Sequence, residues 1–224
     1  MERIAALVLA AGAGARMRTD VPKQFLEYES RPLFIRPVEV FLHCGIPVTV
    51  VAREGEVAAV KEMLRAHLTE KVDVVPGGKE RYDSSYAGLK KLAESGCFDY
   101  VLIQDAARPF ITEELVKRIV RTVLESDTAV AAVPAKDTIK TADENGIVKE
   151  TLDRASCYII QTPQAFRLSL ILEAYLRMYR EGPDARVTDD ASVVERFTDH
   201  PVRLCPGDYG NIKITTPEDL KFLR

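Results

Sequence analysis

The chain has 224 residues, 46% of them hydrophobic and 29% charged, a balance typical of globular proteins and sufficient for one sizeable α/β core. Its formal net charge of −3 excludes a general attraction to nucleic acid or anionic membranes, so a site for a polyanionic ligand has to be built locally. The scattered cysteines and histidines exclude a disulfide framework and a zinc motif, and no run approaches the roughly 20 apolar residues of a membrane span. We expect a cytoplasmic protein with reduced thiols.

The N-terminal segment has two interpretations. Residues 1–15 superficially resemble a secretory signal, because Arg3 precedes an apolar run and small residues. Glu2 weakens the basic region that such a signal needs. The favoured interpretation is a buried strand followed by a ligand-binding loop.

Strand-like and helical patterns alternate along the first 133 residues. Short apolar runs rich in β-branched residues predict five buried strands: Ile4–Ala10, Pro47–Ala52, Val72–Val75, Tyr100–Gln104 and Thr128–Val133. Helical spacing predicts four helices: Leu33–Cys44, Glu56–His67, Arg81–Glu94 and Thr112–Glu125. This alternation predicts a doubly wound, mostly parallel, Rossmann-like sheet with helices on both faces.

The pattern changes after Pro134. An Asp-Glu-Asn-Gly turn at 143–146 predicts a β-hairpin over Asp137–Lys149. An isolated hairpin with so little apolar surface is marginal, so it either packs against a second copy of the chain or is a solvated surface feature. We treat 1–224 as a single domain from which 135–156 protrudes as an arm.

The remaining elements complete the sheet. We predict a strand at Tyr158–Gln161, helices at Arg167–Arg180 and Asp189–Phe197, and a strand pair around Arg203–Cys205 and Asn211–Ile214. A last helix is predicted to begin at Thr216, with Pro217 in its first position and Asp219 completing an arrangement like a capping box.

The loop after the first strand has the composition of a phosphate-binding loop. Only small side chains occupy Ala10 to Ala15, so phosphate oxygens can approach backbone N–H groups closely. Arg16 and Lys23 add two cations, which a triphosphate requires. A dinucleotide fingerprint would need a small residue in place of Met17, although Glu54 could bind a ribose, and a purely structural turn is a further alternative.

Two more clusters follow predicted strands. Asp105 lies at a strand's carboxyl end, where a carboxylate can hold Mg²⁺ together with phosphate oxygens. Its alternative role is a helix cap, but Thr112 is the better cap. The Gly77–Gly78 pair lets backbone groups reach a base edge and Ser84 offers a hydroxyl, although a simple strand-to-helix turn is equally compatible.

Taken together, the motifs resemble those of the 2-C-methyl-D-erythritol 4-phosphate cytidylyltransferase family, whose members carry out the CTP-dependent step of the non-mevalonate isoprenoid pathway. They run in order along nearly the whole chain: Leu-Ala-Ala-Gly-x-Gly-x-Arg-Met (9–17), Pro-Lys-Gln (22–24), Gly-Gly-x-x-Arg-x-x-Ser (77–84), Asp-Ala-Ala-Arg-Pro (105–109), Thr-Pro-Gln (162–164), Thr-Asp-Asp-Ala-Ser (188–192) and Asn-Ile-Lys (211–213).

The resemblance implies a Mg²⁺-dependent homodimer that transfers a cytidylyl group from CTP to a sugar-alcohol phosphate. It implies three catalytic cations: Arg16, Lys23 and Lys213. It implies the following contacts with CTP: Ala10, Ala11, Gly12, Gly78, Ser84 and Asp105, with Asp105 also near the metal. It implies four contacts with the second substrate: Arg108, Thr138, Arg154 and Thr188. Of these, Thr138 and Arg154 would come from the arm of the partner subunit.

The chain departs from the family pattern at two positions. Gln104 stands where many members have His, and Gly210 stands where many have an acidic residue, with Asp208 nearby but out of register. Ribitol-5-phosphate cytidylyltransferases share most of these motifs and are the near alternative. A dinucleotide-binding oxidoreductase and a nucleotide-binding regulatory module are the alternatives from other classes.

Overall fold

The computed structural model describes residues 3–12, 22 and 25–223, and in this part of the chain strands and helices alternate. The strands within these ranges are β1 (Ile4–Leu9), β2 (Glu27–Tyr28), β3 (Arg31–Pro32), β4 (Val48–Ala52), β5 (Asp73–Pro76), β6 (Tyr100–Asp105), β7 (Thr128–Pro134), β8 (Lys140–Ala142), β9 (Val148–Thr151), β10 (Tyr158–Arg167) and β11 (Leu204–Pro206). The α-helices are α1 (Ile35–His43), α2 (Val57–His67), α3 (Arg81–Ser95), α4 (Glu113–Ser126), α5 (Leu168–Glu181) and α6 (Asp190–Phe197). Short 3-10 helices span Glu54–Glu56, Arg154–Ser156 and Pro217–Leu223.

Seven strands form one central sheet in the order β11-β7-β10-β6-β1-β4-β5. The pairs β1–β4, β1–β6, β4–β5 and β7–β11 are parallel, whereas β10 is antiparallel to both β6 and β7. The prediction of a doubly wound, mostly parallel sheet is therefore confirmed. The hairpin is confirmed as well, since β8 pairs antiparallel with β9 and its residues are exposed.

Side chains of β1 alternate between two apolar layers, which is why the sheet is buried on both faces. Ala6 and Val8 pack into the layer that contains core residues of α1, α2 and α4. Ala5 and Leu7 pack into the opposite layer, formed with α3, α5 and α6. Strands sandwiched in this way need no polar alternation, which explains the uninterrupted apolar runs in the sequence.

Helices α3 and α4 begin at the edge of the sheet where parallel strands β5 and β6 end, whereas α5 begins at the opposite edge, after antiparallel β10. Polar side chains cap α3, α4 and α6. Thr112 accepts a hydrogen bond from the backbone N–H of Leu115 and caps α4, as predicted. Capping boxes begin α3 at Glu80 and α6 at Asp189. Over the described ranges, no helix combines the length and the apolar character needed to cross a membrane.

Three predictions about the C-terminal third need correction. β10 runs to Arg167 rather than ending at Gln161, because Ala165 and Phe166 are fully buried and the strand bonds to both β6 and β7 beyond an irregularity after Ile160. Residues 211–214 form no strand, because the N–H groups of Asn211, Ile212 and Ile214 donate to carbonyls of turns and loops rather than to a neighbouring strand.

The last helix is a 3-10 helix and not an α-helix. Its beginning follows the prediction in part, since the Asp219 carboxylate accepts hydrogen bonds from the backbone N–H groups of Thr215 and Thr216. These contacts tighten the segment into a turn that i→i+3 bonds then continue.

Candidate active site

A cleft of about 680 Å³ opens at the carboxyl ends of β1, β4, β5 and β6. It brings together all three clusters that the sequence singles out: Ala10–Gly12, the Gly77–Ser84 turn and Asp105. Lys213 joins them from a loop more than 100 residues further along the chain. In an open α/β sheet this edge is where ligands bind.

The described part of the N-terminal loop is tied to β4. The backbone N–H of Ala10 donates to the carbonyl of Val51, and Arg53 Nε donates to the carbonyl of Ala11 at 3.2 Å. These bonds place Ala10 to Gly12 at the cleft wall. Arg16 and Lys23 lie outside the described residues. Arg53 lines the cleft although the sequence analysis assigned it no role.

The Gly77–Gly78 turn lies directly against α3 and the N-terminal loop. A Cβ on Gly77 would lie 2.6 Å from Ser84 Oγ and 2.9 Å from Ala11 Cβ, and one on Gly78 would lie 2.3 Å from Asp83 Cβ. The N–H of Gly78 donates to Ser84 Oγ at 3.3 Å. Glycine is therefore needed at both positions, because a side chain there would collide with α3 or with the N-terminal loop. The hydrogen bond from Gly78 holds the Ser84 hydroxyl against the turn.

Two cations compensate the charge of the buried Asp105 carboxylate. Arg81 Nε and Nη2 lie 3.4 Å from its Oδ1, and Lys213 Nζ lies 2.5 Å from its Oδ2. Burial acts to raise the pKa of Asp105, but the charges of Arg81 and Lys213 outweigh it and hold that pKa well below its usual range. The group is an ionised carboxylate aimed into the cleft, and its alternative role as a cap of α4 is wrong.

Arg81 continues this arrangement into the core. Its Nη2 lies 2.7 Å from Oδ2 of Asp190, a residue with no exposed surface, and the Tyr175 hydroxyl donates to Oδ1 of Asp190 at 2.7 Å. Burial lowers the pKa of Arg81, yet the two carboxylates outweigh it and raise that pKa above its usual value. The sequence alone does not predict this network, although Arg81 and Asp190 belong to two of the motifs quoted above.

The loop that carries Lys213 is held from three directions. Asn211 is fully buried and its Nδ2 donates to the carbonyl of Thr162 at 2.8 Å. Arg108 Nη1 donates to the carbonyl of Asn211 at 2.7 Å. The N–H of Ile214 donates to the carbonyl of Ala107 at 2.8 Å, and its side chain is buried. Asn211 within the motif Asn-Ile-Lys and Ile214 directly after it thus anchor the backbone on both sides of Lys213.

Comparison with known proteins agrees with this geometry. Residues 4–223 match the family model described as IspD, 2-C-methyl-D-erythritol 4-phosphate cytidylyltransferase. The chain belongs to that family. A relative of that name from Lachnospira eligens is 40% identical over 220 residues, covering 97% of this chain and 96% of the relative. One from Geobacillus kaustophilus is 44% identical over 222 residues, covering 97% and 93%.

Solved structures of family members share the fold. The 4-diphosphocytidyl-2C-methyl-D-erythritol synthase from Anaerococcus prevotii superposes with a TM-score of 0.85 at 32% identity, over 99% of this chain and 96% of that one. The 2-C-methyl-D-erythritol 4-phosphate cytidylyltransferase from Thermus thermophilus gives a TM-score of 0.76 at 30% identity, over 100% and 97%.

The four residues expected to contact the second substrate do not line the cleft in the described part of the single chain. Arg108 is buried beneath the Lys213 loop, where burial lowers its pKa and its guanidinium donates to backbone carbonyls. Thr138 and Arg154 are exposed on the arm, and Arg154 Nη1 donates to the carbonyl of Lys136. Thr188 precedes α6 and donates its N–H to Ser192 Oγ.

The two departures from the family pattern have structural explanations. Gln104 is fully buried and its Nε2 donates to the carbonyl of Arg108, so it supports the turn after β6 from inside the protein. The Asp208 carboxylate accepts the N–H of Gly210 at 2.7 Å and so closes its own turn. Neither Gln104 nor Gly210 is among the described residues that line the cleft.

The carboxylate of Asp105 is suited to a metal ion that is held mainly by oxygen atoms, such as Mg²⁺. In the described ranges there is no group of three or more His, Cys, Asp and Glu residues that could hold a metal ion by themselves. Three carboxylates line the described cleft, those of Glu54, Glu80 and Asp105, and of these Asp105 is buried. Mg²⁺ takes one or two carboxylates and completes its shell with phosphate oxygens and water. Asp105 meets that requirement.

Two glutamines on β10 provide a test of how the Lys213 loop is positioned. Gln161 Nε2 donates to the carbonyl of Asp208 and its Oε1 accepts the N–H of Asp208, whereas Gln164 Oε1 accepts the N–H of Ala191 at the beginning of α6. We expect Gln161→Ala to accelerate hydrogen exchange at residues 208–212 by roughly tenfold, because a buried hydrogen bond contributes on the order of 1 kcal/mol. The matched variant Gln164→Ala should instead accelerate exchange at Ala191. Unchanged exchange at 208–212 in a folded Gln161→Ala protein would contradict this interpretation.

Proposed function

We propose that this protein joins CTP and 2-C-methyl-D-erythritol 4-phosphate to give the CDP-linked methylerythritol and pyrophosphate. The observation that carries the proposal is the Lys213–Asp105 pair at the cleft between the N-terminal loop and the Gly77–Gly78 turn. This arrangement lies at the sheet edge that binds ligands. Family membership over nearly the whole chain supports the same reaction.

The reaction is an in-line displacement at phosphorus. A phosphate oxygen of the acceptor attacks the α-phosphorus of CTP, a new P–O bond forms, and the bond to the bridging oxygen breaks as pyrophosphate leaves. The attacking oxygen is already anionic, so no general base is needed. The obstacle is the approach of two polyanions, which positioning and electrostatic stabilisation have to overcome.

Each part of the cleft has a proposed partner in CTP. Backbone N–H groups of Ala11 and Gly12 and the cations Arg16 and Lys23 bind the triphosphate. Ala10, whose N–H is bonded to Val51, lies beside the cytosine. Gly78 and Ser84, which are hydrogen-bonded to each other, contact cytosine. Asp105 contacts the ribose and holds Mg²⁺, which when bound neutralises phosphate charge. Lys213 is the cation nearest the α-phosphate.

The arm supports a homodimer in which each cleft is completed by the other subunit. Ile147 and Val148 of the hairpin are 65% and 53% exposed, and Tyr158 and Ile159 beside it are 45% and 53% exposed. Exposed apolar side chains on a two-stranded hairpin that is marginal on its own suit an interface. In such a dimer Thr138 and Arg154 reach the partner's acceptor, while Arg108 and Thr188 act within their own subunit. We propose that this dimer works in the cytoplasm.

The proposed reaction predicts pyrophosphate release from CTP and Mg²⁺ only when a suitable acceptor is present. We expect turnover with 2-C-methyl-D-erythritol 4-phosphate and little with ribitol 5-phosphate, measured by coupled pyrophosphate detection. Removal of Mg²⁺ by a chelator should abolish it. Faster turnover with ribitol 5-phosphate would reverse the assignment of the acceptor. NAD binding without pyrophosphate release would overturn the proposal as a whole.

Lys213→Ala should lower kcat by about 10²–10³-fold, by analogy with the removal of one preorganised donor in other enzymes. The matched control is Lys117→Ala, because Lys117 also pairs with a carboxylate, Glu113 at 3.0 Å, but on the exposed face of α4. Steady-state pyrophosphate release with both substrates saturating measures both variants. Near-normal turnover of Lys213→Ala would contradict the proposed mechanism.

The shared site predicts recovery of activity in hybrid dimers. Arg154→Ala should mainly raise KM for the acceptor, since a lost charge-assisted contact weakens binding. A heterodimer with Lys213→Ala contains one cleft with both native residues and should regain activity at low acceptor concentration. The control heterodimer of Lys213→Ala with Asp105→Asn should not, because both residues belong to the same cleft. No recovery in verified Arg154→Ala hybrids would argue against the crossed arm.

A further inference from the structure

We propose that Arg81 is a positioning residue: anchored on buried Asp190, it holds the Asp105 carboxylate in place while Lys213 moves from Asp105 to the triphosphate. The inference rests on the proposed function, since it assigns the parts that the two cations take in the nucleotide site. Arg81, Asp190 and Tyr175 are not among the residues expected to touch CTP. Arg81 lines the cleft, whereas Asp190 and Tyr175 line no part of it in the described chain.

The anchor is a buried carboxylate that is held by one hydrogen bond and one ion pair. Asp190 and Tyr175 have no exposed surface. One oxygen of Asp190 accepts the Tyr175 hydroxyl and the other faces Arg81 Nη2, both at 2.7 Å. The Tyr175 ring in turn stacks on Tyr86 with ring centroids 5.8 Å apart. A charge buried in this way does not readily leave its partner, because an unpaired buried carboxylate is strongly destabilising.

Arg81 and Lys213 use different oxygens of Asp105. Two nitrogens of the Arg81 fork lie near Oδ1, whereas Lys213 Nζ lies near Oδ2. When Lys213 leaves, Oδ1 is still held and Oδ2 keeps its direction. A planar guanidinium can bridge two carboxylates in this way, while a lysine ammonium on a flexible stem is suited to exchange.

The charges of the cluster favour the same exchange. Asp105 and Asp190 carry two negative charges and Arg81 and Lys213 two positive charges, so the four side chains are neutral together. Transfer of Lys213 to the triphosphate leaves a net charge of −1 beside Oδ2, which attracts a divalent cation. Release of Lys213 and binding of the metal are therefore coupled through Asp105.

Mn²⁺ titration in the presence of CTP, with free Mn²⁺ followed by electron paramagnetic resonance, tests the proposal without turnover. We expect Arg81→Lys to weaken Mn²⁺ binding by about 10–100-fold, as for other groups that orient a metal ligand. The variant keeps the positive charge but loses the fork. The control is Arg177→Lys, since Arg177 pairs with Glu173 on the surface of α5. Unchanged Mn²⁺ affinity in Arg81→Lys overturns the proposal.

Two further variants separate positioning from stability. Asp190→Asn removes the anchoring charge, and Tyr175→Phe removes one hydrogen bond while keeping the ion pair, so Tyr175→Phe remains informative if Asp190→Asn fails to fold. A purely structural role would lower the melting temperature of both without changing Mn²⁺ affinity, and this result overturns the proposal. We also expect Lys213→Ala to tighten Mn²⁺ binding without CTP, because Oδ2 is then free.

The outcome also distinguishes this inference from the proposed function. If wild-type protein binds Mn²⁺ with CTP and the Arg81→Lys variant binds it weakly, the positioning role stands even if no acceptor yields pyrophosphate. If pyrophosphate release is normal and Mn²⁺ affinity is the same in wild type and Arg81→Lys, the function stands and the positioning role fails. Wild-type protein that binds no Mn²⁺ with CTP overturns both.

Discussion

The site depends on compensating one buried negative charge, that of Asp105. A carboxylate with so little exposed surface has to be paired, and its two partners come from distant parts of the chain, Arg81 at the beginning of α3 and Lys213 in the C-terminal loop. This requirement ties three segments of the sequence to one point. It also places Lys213 at the cleft where we propose that the triphosphate binds, so one of the charges that compensate Asp105 is available to the ligand.

The fold meets this requirement through strand direction. Parallel β1, β4, β5 and β6 end at the same edge, so the residues that follow them converge without long loops. The antiparallel strand β10 then lies beside β6 and presents Thr162 to Asp105 and Asn211, with Thr162 Oγ1 accepting the N–H of Asp105. Through Thr162, the antiparallel strand β10 thus supports both Asp105 and the loop that carries Lys213.

Local patterns in the sequence were sufficient to predict the layers of the fold, because apolar runs and helical spacing report which faces are buried. They also located Asp105 and the Gly77–Gly78 turn, since residues at strand ends meet at one edge. They did not reveal the length of β10, whose second half includes Gln164, nor the link between Arg81 and Asp190. These features depend on pairing between segments far apart in the chain, which periodicity does not encode. The cation Lys213 was predicted only through the resemblance to a family.

The positions of the cations in one chain bear on the proposed role of the arm in binding the acceptor. In the described lining of the cleft the cations are Arg53, Lys79, Arg81 and Lys213, and two of these already neutralise Asp105. A second phosphorylated substrate brings further negative charge, which additional cations near the cleft would offset. Arg154 is exposed in the short 3-10 helix that ends the arm, a few residues before the exposed Tyr158 and Ile159. In the proposed dimer a crossed arm would bring Arg154 to the partner's acceptor together with the exposed apolar residues of the arm, and acceptor recognition would depend on assembly.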